Sequence, residues 1–232
     1  MKSFNFKSAA NTKEAAKLAS GRATFLAGGM SLIPAIKLRL AAYSDLVNIK
    51  KIKALSGIKI SSKSVKIGAT TTHFQVSKSG EVGKSIPSLS ILAEGIGDPQ
   101  VRNRGTIGGS VANNDPAADY PSACLALNST IHTNKRKIPA DKFFKGMFET
   151  DLKKGELIES IEFEIPEKSS YSKYPNPASR YAIVGVYVAK FKKETRVAIT
   201  GAGNNGVFRS KELESTLSSN FSPAAIDNIN IS

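Results

Sequence analysis

Two glycine-rich stretches contain the residues whose types and spacing could bind a phosphate. The longer stretch covers residues 95–121 and reads GIGDPQVRNRGTIGGSVANNDPAADYP. Its glycines and prolines exclude a long helix or an ordinary alternating strand. Within it, residues 106–110 (the TIGGS segment) offer consecutive backbone N–H groups and two hydroxyls, which is what an anion-binding nest requires. The stretch predicts a phosphate cradle, and the alternative is a long glycine-rich surface loop.

Charged side chains flank the TIGGS segment. Arg102 and Arg104 supply positive charge, while Asp115 and Asp119 supply carboxylates that could accept hydrogen bonds from sugar hydroxyls or a heterocycle. A nucleotide carries both kinds of group. Helix capping and the helix dipole also explain the two acids without a ligand, and for Asp115 we favour capping.

A second glycine turn precedes the long stretch. A short buried strand over Ala23–Leu26 is followed by the turn AGGMS at residues 27–31 (the AGGMS turn) and by a predicted helix over residues 32–40 with Pro34 in its first turn. Unpaired N–H groups at such a helix start favour phosphate. Two anion-binding segments could together bind the two phosphates of a pyrophosphate group.

These residues resemble a known family. AGGMSLIPAIKLRL (27–40) and IGDPQVRNRGTIGGSVANNDPAADYPSACLAL (96–127) are similar to the paired flavin-binding motifs of the FAD subunit of molybdenum hydroxylases, such as aerobic carbon monoxide dehydrogenase and bacterial xanthine dehydrogenase. FFKGMFETDLKKGELIESIEFEIP (143–166) resembles the end of the FAD domain. ASRYAIVGVYVAKF (178–191) and RVAITGAG (196–203) resemble the start of its C-terminal domain.

The resemblance implies an α+β fold, namely a two-subdomain FAD-binding fold of the PCMH type followed by a reduced α+β C-terminal domain. We expect an N-terminal FAD subdomain over residues 1–55, a second FAD subdomain over 56–168 and a C-terminal domain of the carbon monoxide dehydrogenase flavoprotein type over 169–232. The C-terminal domain ends after a predicted helix over residues 224–229 and is shorter than in the family, so it is either a reduced version or an incomplete fragment.

The resemblance also implies a function. FAD would carry the chemistry, so no catalytic side chain and no metal site is expected. Electrons would come from a molybdenum-cofactor large subunit through a [2Fe-2S] small subunit and leave to a small-molecule acceptor such as NAD or a quinone. The expected cofactor-binding residues are Ala27, Gly28, Gly29, Met30, Ser31, Lys37, Thr106, Ile107, Gly108, Gly109, Ser110, Asp119 and Ile158.

This sequence departs from the family pattern at two places near the expected flavin. Met30 stands where many relatives have a histidine, and Asn113 with Asn114 replaces a pair that contains a histidine in relatives. Both changes remove a histidine side chain near the expected flavin, and both leave the backbone N–H groups of the predicted cradle in place. Of the two histidines, His73 and His132, we expect structural or surface roles.

Composition limits the remaining possibilities. No apolar run approaches the length of a bilayer-spanning helix, and the first residues lack the apolar core of a secretory signal, which favours a soluble cytoplasmic protein without a membrane span. The single Cys124 can neither form an internal disulfide nor hold an iron–sulfur cluster by itself. The net charge of +14 is dispersed, which indicates a solvated basic surface and no nucleic-acid partner.

Two other functions stay open as alternatives. One is a stand-alone flavin-dependent oxidase of the same fold, and a less favoured one is a basic nucleic-acid-binding module. Residues 201–206 (GAGNNG) match a G-x-G-x-x-G fingerprint, but too little chain follows for a dinucleotide fold, so we expect a loop there. Residues 166–179 are the best linker candidate, and Phe143, Phe144, Met147 and Phe148 are expected in the core.

The cradle hypothesis predicts the effect of one substitution. Gly109→Val should abolish flavin retention, because a β-branched side chain would block close approach of a phosphate and would strain a positive φ angle. Flavin content after purification is the measurement. A variant with normal flavin content would show that the cradle lies elsewhere.

Overall fold

The computed structural model of the chain describes residues 2–229, so the last three positions of the expected C-terminal domain lie outside the described residues. Three sheets follow one another along the chain, and a small two-stranded ribbon belongs to the second. Helices and strands are mixed, as the α+β expectation requires. Among residues 2–229, no helix is long and apolar enough to cross a membrane.

The first unit is a three-stranded parallel sheet with two crossover helices. Its elements are β1 (Asn5–Ser8), α1 (Thr12–Leu18), β2 (Ala23–Leu26), α2 (Leu32–Lys37) and β3 (Asp45–Asn48). The strand order is β1-β3-β2, which places β3 in the centre. Parallel neighbours need such crossover connections, so each helix lies between two strands of the sequence.

Local signals set the helix boundaries of this unit. Asn11 caps α1, because its side chain accepts the Glu14 N–H at 2.9 Å and the Glu14 carboxylate accepts the Ala10 N–H. Helix α2 ends at Lys37, three residues earlier than predicted. Arg39 adopts a left-handed φ of 62°, and the N–H of Leu40 turns back to the carbonyl of Ala35, which closes the helix.

The second unit contains a five-stranded antiparallel sheet with helices packed against it. Its elements, after a 3-10 turn over Lys53–Leu55, are β4 (Ile58–Ile60), β5 (Ser64–Gly68), α3 (His73–Ser77), α4 (Gly80–Ser85), α5 (Pro87–Glu94), α6 (Pro99–Arg104), α7 (Ile107–Asn113), α8 (Tyr120–Ala126), β6 (Thr130–Thr133), β7 (Lys137–Pro139), α9 (Ala140–Phe143), β8 (Phe144–Gly146), β9 (Glu149–Thr150) and β10 (Ile158–Glu164). The strand order is β4-β5-β10-β6-β7, and among residues 2–229 β8 pairs only with β9.

The third unit is a four-stranded antiparallel sheet. Its elements are β11 (Lys168–Pro175), β12 (Ala182–Lys190), β13 (Thr195–Thr200), β14 (Phe208–Arg209), α10 (Lys211–Ser219) and a 3-10 turn over Pro223–Ile226. The strands lie in sequence order. The GAGNNG loop joins the antiparallel strands β13 and β14, so it is a hairpin loop as expected and not a dinucleotide fingerprint.

The largest core crosses from the second unit into the third. Ile67, Leu89, Ile107 and Phe163 of the second unit belong to the same buried cluster as Tyr187 of β12. The opposite face of the third sheet packs against α10 and forms a separate cluster. The third sheet therefore has two buried faces, and its inner face completes the main core.

Three local expectations were wrong. The predicted linker over 166–179 contains the eight-residue strand β11, because its alternating pattern pairs along the whole length of β12 and outweighs its serine-rich composition. Met147 and Phe148 are exposed, since the tight turn between β8 and β9 carries them away from the core. The helix expected over residues 224–229 is a 3-10 turn that ends at Ile226.

Ion pairs between arginines of the third unit and an aspartate of the second join these two units. The Arg196 guanidinium of β13 donates to both carboxylate oxygens of Asp141 in α9 at 2.7 Å and to the Asn128 side chain at 2.6 Å. Arg209 donates to Asp141 as well, at 3.0 Å. The Asp141 carboxylate thus neutralises the charge of the buried Arg196 guanidinium. These contacts fix the third sheet against the second unit.

A second ionic network anchors the segment that leads into β10. The buried Glu156 accepts hydrogen bonds from Thr133 at 2.7 Å, from Arg136 at 3.0 Å and from the Lys153 N–H at 2.9 Å. Burial acts to raise the pKa of Glu156, but the hydrogen bonds from Arg136, Lys153 and Thr133 outweigh it and lower the pKa to about 2. The carboxylate is therefore stabilised only in the folded chain.

This network predicts a contribution of Glu156 to acid stability. A carboxyl group whose pKa falls on folding adds stability above its ordinary value of 4.5, and that stability is lost as the pH falls toward 2. We expect Glu156→Gln to lower the free energy of unfolding at neutral pH by about 1–3 kcal/mol. We also expect it to flatten the pH dependence of that free energy below pH 4.5.

Denaturant unfolding at a series of pH values measures both effects. Glu167→Gln is the matched control, because Glu167 is exposed just before β11 and has no ion-pair partner among residues 2–229. Unfolding curves for Glu156→Gln that run parallel to those of the unaltered chain at every pH would contradict the prediction.

Candidate functional site

A cleft of about 550 Å³ lies where the three units meet, and we call it the central cleft. Its lining includes the AGGMS turn of the first unit, the TIGGS segment of the second and the hairpin between β11 and β12 of the third. Its volume falls within the range usual for cofactor sites. The two glycine-rich segments, far apart in sequence, therefore face one cleft.

The AGGMS turn presents unpaired backbone donors to the central cleft. The N–H groups of Gly28, Gly29, Met30 and Ser31 have no hydrogen-bond acceptor within the described part of the chain. Gly29 has a left-handed φ of 76°, which glycine adopts without strain, and Ser31 is right-handed. Successive N–H groups in such a turn form a concave anion site. The AGGMS turn thus offers the unpaired N–H groups that the predicted cradle requires.

The TIGGS segment has a different structure from the predicted nest. It forms the start of α7, with Thr106 as the N-cap residue. The Thr106 hydroxyl accepts the Gly109 N–H at 3.2 Å, and the Thr106 carbonyl accepts the Ser110 N–H at 3.0 Å. Gly109 has no positive φ, so the strain argument for Gly109→Val was wrong. A Cβ atom at Gly109 would instead lie 2.9 Å from the capping hydroxyl.

The remaining N–H groups of this segment are bonded to the second unit. Ile107 donates to the carbonyl of Thr71 at 3.1 Å, and Gly108 donates to the carbonyl of Ala69 at 2.9 Å. A Cβ atom at Gly108 would lie 2.8 Å from the Ala69 Cα, so Gly108 allows α7 to pack closely. The prediction of a second N–H nest is therefore wrong. What this segment offers a ligand is the Ser110 hydroxyl and a surface without side chains.

The two segments are joined by a direct contact of main chains. A Cβ atom on Gly28 would lie 2.8 Å from the Cα of Gly105 and would overlap the carbonyl of Arg104. Gly105 in turn lies against the His73 ring, where a Cβ atom would be 2.6 Å from Nε2. Only glycine allows this approach. The contact fixes the AGGMS turn beside the TIGGS segment.

Asp119 is buried beside the central cleft and is held by the third unit. Its Oδ1 accepts hydrogen bonds from the Tyr171 hydroxyl at 2.5 Å and from the Lys173 ammonium at 2.9 Å. Burial raises the pKa of Asp119, and the charge of Lys173 opposes that rise. Lys173 also donates to the carbonyls of Gly95 and Arg180, at 2.8 and 3.0 Å. The buried pair thus positions the β11–β12 hairpin over the cleft.

The other predicted site residues divide into two groups. Ala27, Met30 and Ile158 line the central cleft. Ile107 does not, because its side chain is fully buried in the main core, and Lys37 is exposed on α2 outside the lining. Arg102, which is outside the lining, donates to the carbonyls of the lining residues Ile96 and Gly97, at 3.1 and 2.8 Å, and so fixes the loop before α6.

Some lining residues were missed. His73 lines the central cleft, as do Ser179, Arg180 and Tyr181 of the hairpin. Burial raises the pKa of Tyr181, with Asp115 and Asp119 adding to it, and its hydroxyl lies beside the Ser31 side chain. The run ASRY was visible in the sequence, but only the β11–β12 pairing shows that it returns to the AGGMS turn. Arg180, at a φ of 61°, carries no sequence signal for its left-handed turn.

Comparison with known proteins identifies the family. Residues 2–167 match the model for the FAD binding domain in molybdopterin dehydrogenase. The chain belongs to this family. It is an FAD-binding medium subunit of the molybdenum hydroxylase type and thus a subunit of an oxidoreductase, as the sequence resemblance indicated. FAD as the cofactor is likewise confirmed.

Relatives of this FAD-binding subunit match over most of its length. It is 36% identical over 223 residues to the glyceraldehyde dehydrogenase medium chain of Sulfolobus acidocaldarius, covering 91% of this chain and 79% of the relative. It is 34% identical to the carbon monoxide dehydrogenase medium chain of Hydrogenophaga pseudoflava, covering 81% and 69%. A solved structure of carbon monoxide dehydrogenase from Hydrogenophaga pseudoflava matches with a TM-score of 0.89 at 32% identity, covering 97% of this chain and 84% of that one.

The central cleft of this FAD-binding subunit has the features that an FAD diphosphate requires. The unpaired N–H groups of the AGGMS turn suit its charged oxygens, and the side-chain-free surface at Gly109 allows them to approach the main chain. Ala27, Met30 and Ile158 add apolar lining for the rings. The residues present therefore fit the cofactor.

The contact between glycine main chains predicts the effect of a minimal substitution. Gly28→Ala adds one methyl group that meets the main chain of Arg104 and Gly105, so the AGGMS turn must move away from the TIGGS segment. We expect FAD affinity to fall about 5- to 150-fold, since overpacking of this kind costs about 1–3 kcal/mol. Fluorescence titration of FAD measures the dissociation constant.

Gly80→Ala is the matched control, because a Cβ atom at Gly80 meets nothing within 4 Å. It should bind FAD as the unaltered chain does. Equal affinity of Gly28→Ala and Gly80→Ala would show that the contact between the two segments does not shape the site.

Proposed function

We propose that this chain is the electron-transfer subunit of a molybdenum hydroxylase complex, in which it holds FAD between a partner iron–sulfur subunit and an electron acceptor such as NAD or a quinone. The observation that carries the proposal is the central cleft, where a turn with unpaired N–H groups and a side-chain-free helix start face each other. Membership of the family supports the cofactor. The partners in the proposal are a molybdenum-cofactor large subunit and a [2Fe-2S] small subunit.

The residues of the cleft bind and orient the cofactor. The AGGMS turn neutralises the diphosphate charge through its N–H groups. Asp119, Lys37 and Ile158 are the positions that the family resemblance places near the flavin, and of these Asp119 and Ile158 line the cleft. When bound, FAD supplies the redox chemistry, so the chain itself needs no side-chain nucleophile or general base.

The cysteine content of the chain limits where an iron–sulfur cluster could be held. Iron–sulfur clusters are held by several cysteine thiolates, and this sequence has one cysteine. Cys124 lies fully buried in α8, where burial raises the pKa of its thiol to about 12. Any cluster that delivers electrons to this chain would therefore be held by another subunit.

The competing function is a stand-alone oxidase with covalently attached flavin. Cys124 lies outside the lining of the central cleft, so it is not placed to form such a link. A subunit that relays electrons is expected to hold its FAD without a covalent bond and to oxidise no small substrate by itself. The mode of flavin attachment and the oxidation of a small substrate by the isolated chain therefore distinguish the oxidase from the electron-transfer subunit.

Purification of the chain with added FAD tests the proposal. We expect a yellow protein that binds one FAD per chain and releases it on denaturation. We expect bound FAD, once reduced by dithionite, to be reoxidised by NAD or a quinone, and no substrate turnover by the isolated chain. Absorbance spectra, together with identification of the released cofactor, give both results.

A colourless protein that does not bind added FAD would contradict the proposal. Flavin that stays attached after denaturation, together with oxidation of a small substrate by the isolated chain, would favour the oxidase. Steeply salt-dependent DNA binding by a colourless protein would favour the nucleic-acid-binding module.

A further inference from the structure

His73 is a buried side chain of the central cleft to which the proposed function gives no role. It lies at the start of α3, is 4% exposed and lines the cleft. Neither ring nitrogen has a hydrogen-bond partner within the described part of the chain; Nδ1 is fully buried, whereas Nε2, which lies beside Gly105, keeps some exposed surface. Polar side-chain atoms in such places nearly always have a partner. An imidazole in the wall of a ligand cleft whose Nε2 is unbonded therefore points to a partner on the ligand.

The ring is held in place by the main chain around it. Thr72 forms an antiparallel bridge with Thr106, and the His73 N–H donates to the carbonyl of Gly105 at 3.1 Å. The imidazole lies against Gly105, which also contacts Gly28. The ring is thus fixed at the junction of the AGGMS turn and the TIGGS segment.

The charge state of the ring suits an oxygen ligand. Burial, and to a smaller extent the positive charge of Arg102, lower the pKa of His73 to about 4. The ring is therefore neutral near pH 7 and carries one N–H donor and one acceptor nitrogen. A neutral imidazole can donate to a phosphate oxygen or exchange a hydrogen bond with a sugar hydroxyl.

Packing alone does not explain this side chain. The Tyr120 ring lies 5.4 Å from the His73 ring between centroids, at an angle of 38°, and the Tyr120 hydroxyl is also buried without a partner among the described residues. A phenylalanine at position 73 would keep such ring packing and would leave no buried nitrogen without a partner. The polar ring is costly in this place unless it is hydrogen-bonded.

We propose that His73 is a further binding residue of the central cleft, whose imidazole forms a hydrogen bond with an oxygen of the dinucleotide at or next to its diphosphate bridge. The inference rests on the FAD-binding role proposed above. It assigns a ligand contact to a residue that the sequence alone indicated as structural.

Nitrogen NMR of the imidazole rings tests the contact directly. The sequence contains two histidines, so the ring spectrum of the labelled chain contains two sets of signals, and His132→Gln assigns them. His132 bonds to Glu162 at 2.8 Å and lies outside the cleft lining, which makes it an internal control. We expect saturating FAD to shift the ring-nitrogen resonances of His73 and to leave those of His132 unchanged.

Substitution gives a second readout. His73→Phe keeps the ring and removes the hydrogen bond, so we expect FAD affinity to fall about 3- to 10-fold, while His73→Gln retains more of it. Melting temperatures without FAD show whether each variant folds, and the NMR result on the unaltered chain does not depend on them.

Two results would overturn the inference alone. One is that the His73 resonances stay unchanged while flavin absorbance shows full saturation, and the other is that a folded His73→Phe variant binds FAD with unchanged affinity. If the unaltered chain binds no FAD at all, the proposed function fails and this inference fails with it.

Discussion

The central cleft depends on one contact between main chains, that of Gly28 with Gly105. These residues belong to separate units, and each lacks the side chain that would hold the units apart. Because interiors are closely packed, even one methyl group at such a contact is felt. The approach brings a turn with unpaired N–H groups to a surface without side chains. Without this contact the two glycine-rich segments would be ordinary turns on separate units.

The two segments contribute differently to the site. The AGGMS turn keeps its N–H groups available for an anion, whereas the N–H groups of the TIGGS segment are bonded to the protein. The glycines of the TIGGS segment act by close packing, with Gly108 against Ala69. The third unit closes the cleft through Lys173, which bridges Asp119 and the carbonyl of Arg180. The AGGMS turn thus supplies the anion-binding N–H groups, the TIGGS segment supplies a closely packed surface, and the third unit covers the cleft.

Features encoded by local sequence were predictable. The Asn11 cap of α1, the strand before the AGGMS turn and the hairpin nature of the GAGNNG loop follow from neighbouring residues. The family resemblance added the α+β fold, FAD and thirteen expected site residues, of which eleven line the cleft. The α2 helix was predicted too long because no glycine marks its end, and Arg39 takes the left-handed position there.

Features that depend on distant partners were not predictable. The N–H groups of Ile107 and Gly108 looked available because their acceptors, at Thr71 and Ala69, lie more than thirty residues away. Asp119 looked like a capping residue or a ligand, and its partners Tyr171 and Lys173 lie on a strand that composition marked as a linker. His73 joined the cleft through a bridge between Thr72 and Thr106 that no local pattern shows.

Amide hydrogen exchange with and without FAD tests the central claim most directly, namely that the AGGMS turn supplies the anion-binding N–H groups. The account predicts fast exchange in residues 28–31 of the free chain and strong protection on FAD binding, whereas residues 107–110 are protected in both states. Bound FAD that leaves exchange in residues 28–31 unchanged would contradict the account.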